Sequence, residues 1–544
     1  MATNNLTRSE RETPANLAEG AIVPTGVEGL DEVLMGGLRS GNIVLVEGAP
    51  GSGKTTLAME FIYRGAVDHD EPGLIVSFEL SPAKLLRDAA GFGFDFKKLE
   101  ESGKVKIIYT SPLVILQELS SHDGVLATEI KRLGAKRFVI DGLTPLKLFG
   151  ELFNGRPFRD SLHLLVEGLQ RSGVTAMLTR EVSGNTNAPV EFPHEQYVCD
   201  TVIALAQKPY RRGVSRSIEV MKSRGQEFIS GRHTMRLVAN SGVQVFKRPQ
   251  ARPRAITDQP TSTKRLLSGS TPLDKMLGGG IIEGSITLVV GISGTGKTVA
   301  GVQFLVEGAK KGLKGLLVTL DEHTEQLKRN GDGLGFELTK LTENGDIIIH
   351  YDSPLELELD VHYADIVKLI EANKIDLVVI DSLAAYEAAD SAESRDFIYA
   401  LATYFKNRLV TAYMNFETPE LLGVSQISQE LKASTVVDNI ILLNYVEIST
   451  HLRRAITVPK SRGSNPIRET REFQIGKGGI ILLDEERGEA ADFEEVPQLP
   501  FSSYYGILAR SPSRRSPIIE GYAFNGDAMP ASPSLMPEGK GHHS

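Results

Sequence analysis

The chain has 544 residues, 41% of them hydrophobic and 24% charged, and a formal net charge of −9. That length exceeds what one hydrophobic core serves, and the acidic balance argues against nucleic acid as a partner, because neutralising phosphates normally leaves a basic footprint. A single cysteine, Cys199, excludes an intrachain disulfide, and no apolar run reaches the length of a membrane span, so the chain reads as cytoplasmic with no membrane partner.

Residues 1–20 are polar, lack the apolar stretch of a signal peptide and are read as a disordered N-terminus. A β-branched run, Ile43-Val44-Leu45-Val46, predicts a buried strand leading into Gly48-Ala49-Pro50-Gly51-Ser52-Gly53-Lys54-Thr55, with Thr56 completing the loop. This is G-x-x-x-x-G-K-[ST]. Its glycines let backbone N–H groups face phosphate oxygens, its Lys reaches the β and γ phosphates, and its Thr hydroxyl can ligate Mg²⁺. Leu57, Ala58 and Phe61 follow at helical spacing, so the loop opens a helix whose N-terminus receives phosphate. The next apolar run, Gly73 to Phe78, ends at Glu79, a carboxylate placed to orient or deprotonate an attacking water. Arg137-Phe138-Val139-Ile140 ends at Asp141, a candidate for the Mg²⁺ shell. Further on, Lys222-Ser223-Arg224 places two cations on one face of an expected strand. They lie far in sequence from their own loop, so they could stabilise a transferred phosphoryl group across a subunit boundary.

Residues 247–264, with Pro249, Pro253 and Pro260 and little apolar content, read as a linker between a first domain at 21–246 and a second at 265–496. The second half repeats the first. Ile286 to Val290 leads into Gly291-Ile292-Ser293-Gly294-Thr295-Gly296-Lys297-Thr298, with Val299 completing the loop and Lys297 standing 243 residues after Lys54. Leu316-Leu317-Val318-Thr319-Leu320 ends at the carboxylate pair Asp321-Glu322, Leu377 to Ile380 ends at Asp381, and Lys460-Ser461-Arg462 repeats the cation pair. The offset drifts only from 243 to 238. So long a colinear match means two copies of one α/β domain, each a mainly parallel sheet flanked by helices, with ligand at the carboxyl ends of the strands. Residues 497–544 are rich in Ser, Pro and Gly, carry a basic island at Arg510, Arg514 and Arg515, and read as a disordered tail.

On these residues the chain resembles the KaiC family of tandem RecA-like P-loop ATPases over roughly Val23 to Glu489, including the stretch Asp438 to Ile448. The resemblance implies a double-ringed homohexamer with ATP and Mg²⁺ at subunit interfaces, gripped by the two P-loops of one protomer. Lys222, Ser223, Arg224, Lys460, Ser461 and Arg462, together with Arg454, then reach in from the next protomer. It implies slow hydrolysis in the first ring, with Glu79 activating water. In the second ring it implies serine/threonine autokinase activity, with Asp321 and Glu322 as base and Ser434-Thr435 as phosphoacceptors, so that the protein works as a clock-type switch with a KaiB-like partner. At the repeat offset Gln196 and Tyr197 stand where the second copy has Ser434 and Thr435, so phosphorylation falls to the second copy alone. The chain departs from the family's double Glu, which reads Glu79-Leu80 in one copy and Asp321-Glu322 in the other, and its tail does not match the segment through which the family's activator acts. Two further readings stay open: a RecA-like DNA-dependent ATPase, and an ATP-controlled signalling scaffold without kinase activity.

Overall fold

The computed structural model describes residues 21–118, 124–147, 158–182, 194–210, 213–250, 260–388, 391–418, 436–448 and 451–483. Both expected termini, residues 251–259 of the expected linker, and Ser434 and Thr435 lie outside the described residues.

The first half is built on a nine-stranded sheet whose order, edge to edge, is Gly242–Phe246, Arg232–Val238, Gly213–Ser223, Thr201–Tyr210, Ile43–Gly48, Thr175–Glu181, Arg137–Asp141, Gly73–Ser77 and Val105–Tyr109. The six strands from Thr201–Tyr210 to Val105–Tyr109 are parallel, and the other three continue the sheet antiparallel. The second half repeats this with Ile347–Tyr351, Gly315–Thr319, Leu377–Asp381, Thr411–Glu417, Ile286–Gly291, Asn439–Ile448, His451–Ser461, Thr470–Gly476 and Gly479–Leu482. The fold is therefore two tandem α/β RecA-like domains, each with a mainly parallel sheet.

Alternation along the P-loop strand divides its side chains between two apolar layers. Val44 and Val46 pack with Leu57, Phe61 and Ile62 of the following helix, Lys54–Asp68, while Ile43 and Leu45 face Leu162, Leu165 and Leu169 on the opposite side. A strand covered on both faces has to be apolar throughout, which is why these runs are continuous rather than alternating with polar residues. Complete burial of a side chain such as Phe61 contributes roughly 1.5–3 kcal/mol, so these layers fix where the loop begins.

The two halves touch through polar side chains. Thr234 donates from its backbone N and from Oγ1 to Asp360 Oδ2 at 3.0 and 2.9 Å, Tyr210 Oη donates to the Leu357 carbonyl at 3.2 Å, and Arg236 pairs with Glu358. Burial pushes the Asp360 carboxyl up to about 6. Among the described residues no helix is long and apolar enough to cross a membrane.

Candidate active site

Each P-loop leaves the carboxyl end of a central strand and ends on a glycine in the left-handed region, Gly53 at φ 104° and Gly296 at φ 105°, which forms the N-cap of the helix that follows. A side chain there would be strained, and without one the first N–H groups of a 15-residue and a 13-residue helix stay open to an anion. At the other end of the loop, a Cβ on Gly48 would stand 2.6 Å from the Leu205 carbonyl oxygen, and one on Gly291 would stand 2.3 Å from that of Leu443. The neighbouring strand thus passes too close for any other residue.

The two lysines are folded back on their own loops. Lys54 Nζ donates to the carbonyls of Gly48 and Ala49, both at 2.9 Å, and Lys297 Nζ donates to those of Gly291 and Ile292, also at 2.9 Å. Desolvation lowers the pKa of both ammonium groups, opposed by the surrounding carboxylates. Beside each lysine the loop threonine meets the expected aspartate. Thr55 Oγ1 donates to Asp141 at 3.0 Å, and Thr298 Oγ1 donates to Asp381 at 2.6 Å. A hydroxyl and a carboxylate so close together can complete the shell of a small hard cation, which takes oxygen ligands and keeps several waters.

The carboxylates past the second parallel strand converge on the same place. Burial and then Asp141 raise the Glu79 pKa, and burial and then Asp381 raise those of Asp321 and Glu322, a shift that makes each a better proton acceptor near neutral pH. The copies differ in how these groups are held. Ser382 Oγ donates to Asp321 Oδ2 at 3.3 Å, and Asn330 Nδ2 donates to Glu322 Oε2 at 3.3 Å. In the first copy Gly142 follows Asp141 where the second copy has Ser382 after Asp381, and Leu80 takes the place of Glu322.

Two pairs of site residues went unnoticed in the sequence. Glu181 and Glu417 close the strands Thr175–Glu181 and Thr411–Glu417, which lie directly beside the P-loop strands. Glu417 Oε2 is 3.7 Å from Lys297 Nζ, and Glu181 is the first charge that counters the desolvation of Lys54. On the same strands, Thr179 Oγ1 donates to Asp141 at 2.7 Å and Asn415 Nδ2 to Asp381 at 3.0 Å, orienting each carboxylate. The signal was present in the repeat, where Thr-Ala-x-x-x-x-Glu occurs at Thr175 and again at Thr411.

The cation pairs lie at the opposite end of the sheet from their own loops. Lys222 pairs with Val202, in a strand that begins beside Val44, whereas the loop begins after Gly48. Lys222 Nζ donates to the carbonyls of Gln196 and Cys199 at 2.8 and 2.7 Å, Lys460 Nζ to that of Val437 at 2.8 Å, and Arg224 Nη2 to that of Tyr197 at 2.7 Å. The strands end at Ser223 and Ser461, so Arg224 and Arg462 stand one residue beyond them and pair with Asp200 and Asp438 at 3.8 and 3.6 Å. Asp200 and Asp438 accept from the first N–H of each P-loop strand, Ile43 and Ile286, both at 3.0 Å. Arg454 is placed differently. It reaches the Gly294 carbonyl of the P-loop in its own chain at 3.4 Å and lies over the Tyr445 ring, whose hydroxyl donates to the same carbonyl at 2.7 Å. Gln207, paired with Arg216 as Tyr445 is with Arg454, makes the matching contact to the Pro50 carbonyl at 3.1 Å.

Comparison with known proteins gives a consistent result. The model of the KaiC ATPase family matches residues 23–250 and 267–487. The chain is 32% identical to the circadian clock oscillator protein KaiC of Picosynechococcus sp., over 92% of this chain and 95% of that protein. It is 31% identical to the protein of that name from Thermostichus vulcanus, over 94% of this chain and 96% of the relative, and 31% identical to the circadian clock protein KaiC3 of Synechocystis sp., over 90% and 94%.

Proposed function

The chain belongs to the KaiC family of ATPases, and we propose that its two nucleotide sites divide the work, the first domain (21–246) hydrolysing ATP and the second (265–496) transferring phosphate to Ser434 or Thr435 of the same protein. Lys54 and Lys297, released from their loop carbonyls, neutralise the β and γ phosphates. Thr55 with Asp141, and Thr298 with Asp381, would hold Mg²⁺, which when bound would supply charge neutralisation to the phosphates. In the first domain the single carboxylate of Glu79 takes a proton from water. In the second, Asp321 and Glu322 take the proton of an acceptor hydroxyl.

One observation carries the division. Asp321 has a serine hydroxyl that fixes one of its oxygens, and Glu322 has an asparagine amide, whereas the first domain has Gly142 and Leu80 at those positions. An oriented carboxylate pair suits a bound hydroxyl, which must be approached from one direction. A lone exposed carboxylate suits water. The acceptor position argues the same way, because Gln196 and Tyr197 of the first domain offer no aliphatic hydroxyl, and the Gln196 amide donates to Glu47 Oε1 at 2.7 Å.

The placement of Lys222, Arg224, Lys460 and Arg462 at the sheet end remote from their own loops supports a homohexamer in which ATP sits between protomers and these cations serve the neighbour's phosphates. Such a ring would act as an ATP-dependent switch of clock type, read out by a KaiB-like partner. Incubation of the chain with Mg-ATP followed by peptide mass spectrometry tests the assignment. One added phosphate on the peptide carrying Ser434 and Thr435, lost in Ser434→Ala/Thr435→Ala, is the expected result. Continued ATP turnover with no phosphopeptide would leave an ATPase or scaffold and remove the kinase.

A further inference from the structure

One cluster of side chains stands outside the nucleotide chemistry. His350 lies at the end of the strand Ile347–Tyr351, Asp352 just beyond it, and His362 on the helix Leu359–Asn373, and each offers one ligand atom within 4.8 Å of the others. His362 Nδ1 is 2.6 Å from Asp352 Oδ2, and His350 Nε2 is 3.6 Å from the same oxygen. Among the described residues the His350 Nε2 atom has no hydrogen-bond partner, and it is sealed from solvent. Leaving such a nitrogen unmatched is costly, and a ligand that takes its lone pair removes that cost. On the far side of the cluster His362 Nε2 is 2.8 Å from Tyr386 Oη, and both residues are buried.

We propose that His350 Nε2, His362 Nδ1 and a carboxylate oxygen of Asp352 bind a divalent transition-metal ion of the zinc class, with a fourth position left to water. Two imidazoles and one carboxylate suit such an ion, whereas Mg²⁺ and Ca²⁺ prefer oxygen throughout. With bonds of about 2.0–2.1 Å in a tetrahedral shell, ligand atoms stand about 3.3 Å apart. The 2.6 Å contact opens slightly and the 3.6 Å contact closes.

The proton balance is neutral. Without the ion, His362 donates from Nδ1 to Asp352 and accepts at Nε2 from the Tyr386 hydroxyl. With it, Nδ1 gives its lone pair to the ion, the ring's one proton sits on Nε2, and Tyr386 Oη turns from donor to acceptor. A hydroxyl can serve in both states, and an outer partner of this kind fixes the ring of a metal-bound histidine. The ion would clamp the strand end to the helix beside the second nucleotide site, since the Tyr351 ring rests 4.4 Å from that of His323, the residue after Glu322.

The test uses the full nucleotide-free chain, stripped with chelator and titrated with Co²⁺. The expected result is a visible absorption band of four-coordinate cobalt that saturates at one ion per chain and is displaced by Zn²⁺, with a rise in melting temperature on adding Zn²⁺. His350→Ala and Asp352→Asn should abolish both signals while keeping the unliganded circular dichroism, and Tyr386→Phe should weaken affinity by about 10–100-fold at unchanged stoichiometry. No band and no thermal shift would overturn the proposal. Binding that survives both His350→Ala and Asp352→Asn would overturn it too, by placing the ion elsewhere, for example at His542 and His543.

Discussion

Replacing Glu417 by Gln should tighten ATP binding at the second site. The Lys297 ammonium has three donors, and in this structure all three directions are taken: the Gly291 and Ile292 carbonyls at 2.9 Å and the Glu417 carboxylate at 3.7 Å. ATP has to win that ammonium from an anion already beside it. At 3.7 Å an effective dielectric constant of about 20 gives roughly 4.5 kcal/mol of attraction as a ceiling. The Glu417 side chain is 44% exposed, and screening with loss of side-chain freedom brings a pair of this kind to about 1 kcal/mol, or roughly fivefold in affinity. Calorimetric titration with a non-hydrolysable ATP analogue, in a Lys54→Ala background so that only the second site binds, would read the change directly. Among the described residues Lys54 has no carboxylate within ion-pair distance, so Glu181→Gln in a Lys297→Ala background should shift affinity by less. Equal effects at the two sites, or weaker binding in Glu417→Gln, would refute the competition between Glu417 and phosphate.

Other outcomes follow from the same geometry. Asp321→Asn and Glu322→Gln should each slow phosphorylation by about 10²-fold or more while leaving ATP affinity within about twofold, as measured by ³²P incorporation and by titration. Chains carrying Lys54→Ala mixed with chains carrying Arg224→Ala should recover part of the hydrolysis that each lacks alone, because mixed interfaces pair an intact loop with an intact cation; inactivity of the mixture would place Arg224 outside the neighbour's site. Glu60 is buried, accepts from the Val243 N–H at 2.7 Å, and is pushed up from 4.5 to about 7 by burial. A carboxyl with its pKa raised on folding holds a proton that the unfolded chain has lost, so stability falls as pH rises from about 4.5 to about 7, by roughly 3 kcal/mol in all. Glu60→Gln should flatten that fall in denaturant midpoints taken at pH 5 and 8, and an unchanged slope would assign the effect to other groups.

The parts of the site legible in the sequence were those written in consecutive residues. A phosphate loop is eight residues long, and the aspartates Asp141 and Asp381 and the carboxylates after the second strand each end an apolar run, so Lys54, Thr55, Asp141 and Glu79, with their second-copy counterparts, could be placed in chain order. Residues brought in by strand pairing were harder to see. Glu181 reaches Lys54 because strand 175–181 lies beside the P-loop strand, 127 residues from the lysine in sequence, and adjacency in a sheet leaves no mark on local composition. Tyr445 and Gln207 touch their loops for the same reason. The resemblance assigned Arg454 to the neighbour's site, whereas within the chain it reaches its own Gly294 carbonyl, a contact set by its pairing with Tyr445. His350, Asp352 and His362 read as unremarkable polar residues until the strand end and the helix face came together.

The division of labour between the two sites is tested most directly by crossing loop variants against two readouts, ATP hydrolysis and phosphate on the peptide carrying Ser434 and Thr435. The account predicts that Lys54→Ala removes most hydrolysis and spares phosphorylation where rings still form, and that Lys297→Ala abolishes phosphorylation while hydrolysis continues. Phosphorylation that persists in Lys297→Ala, or a parallel loss of both activities in each variant, would contradict it.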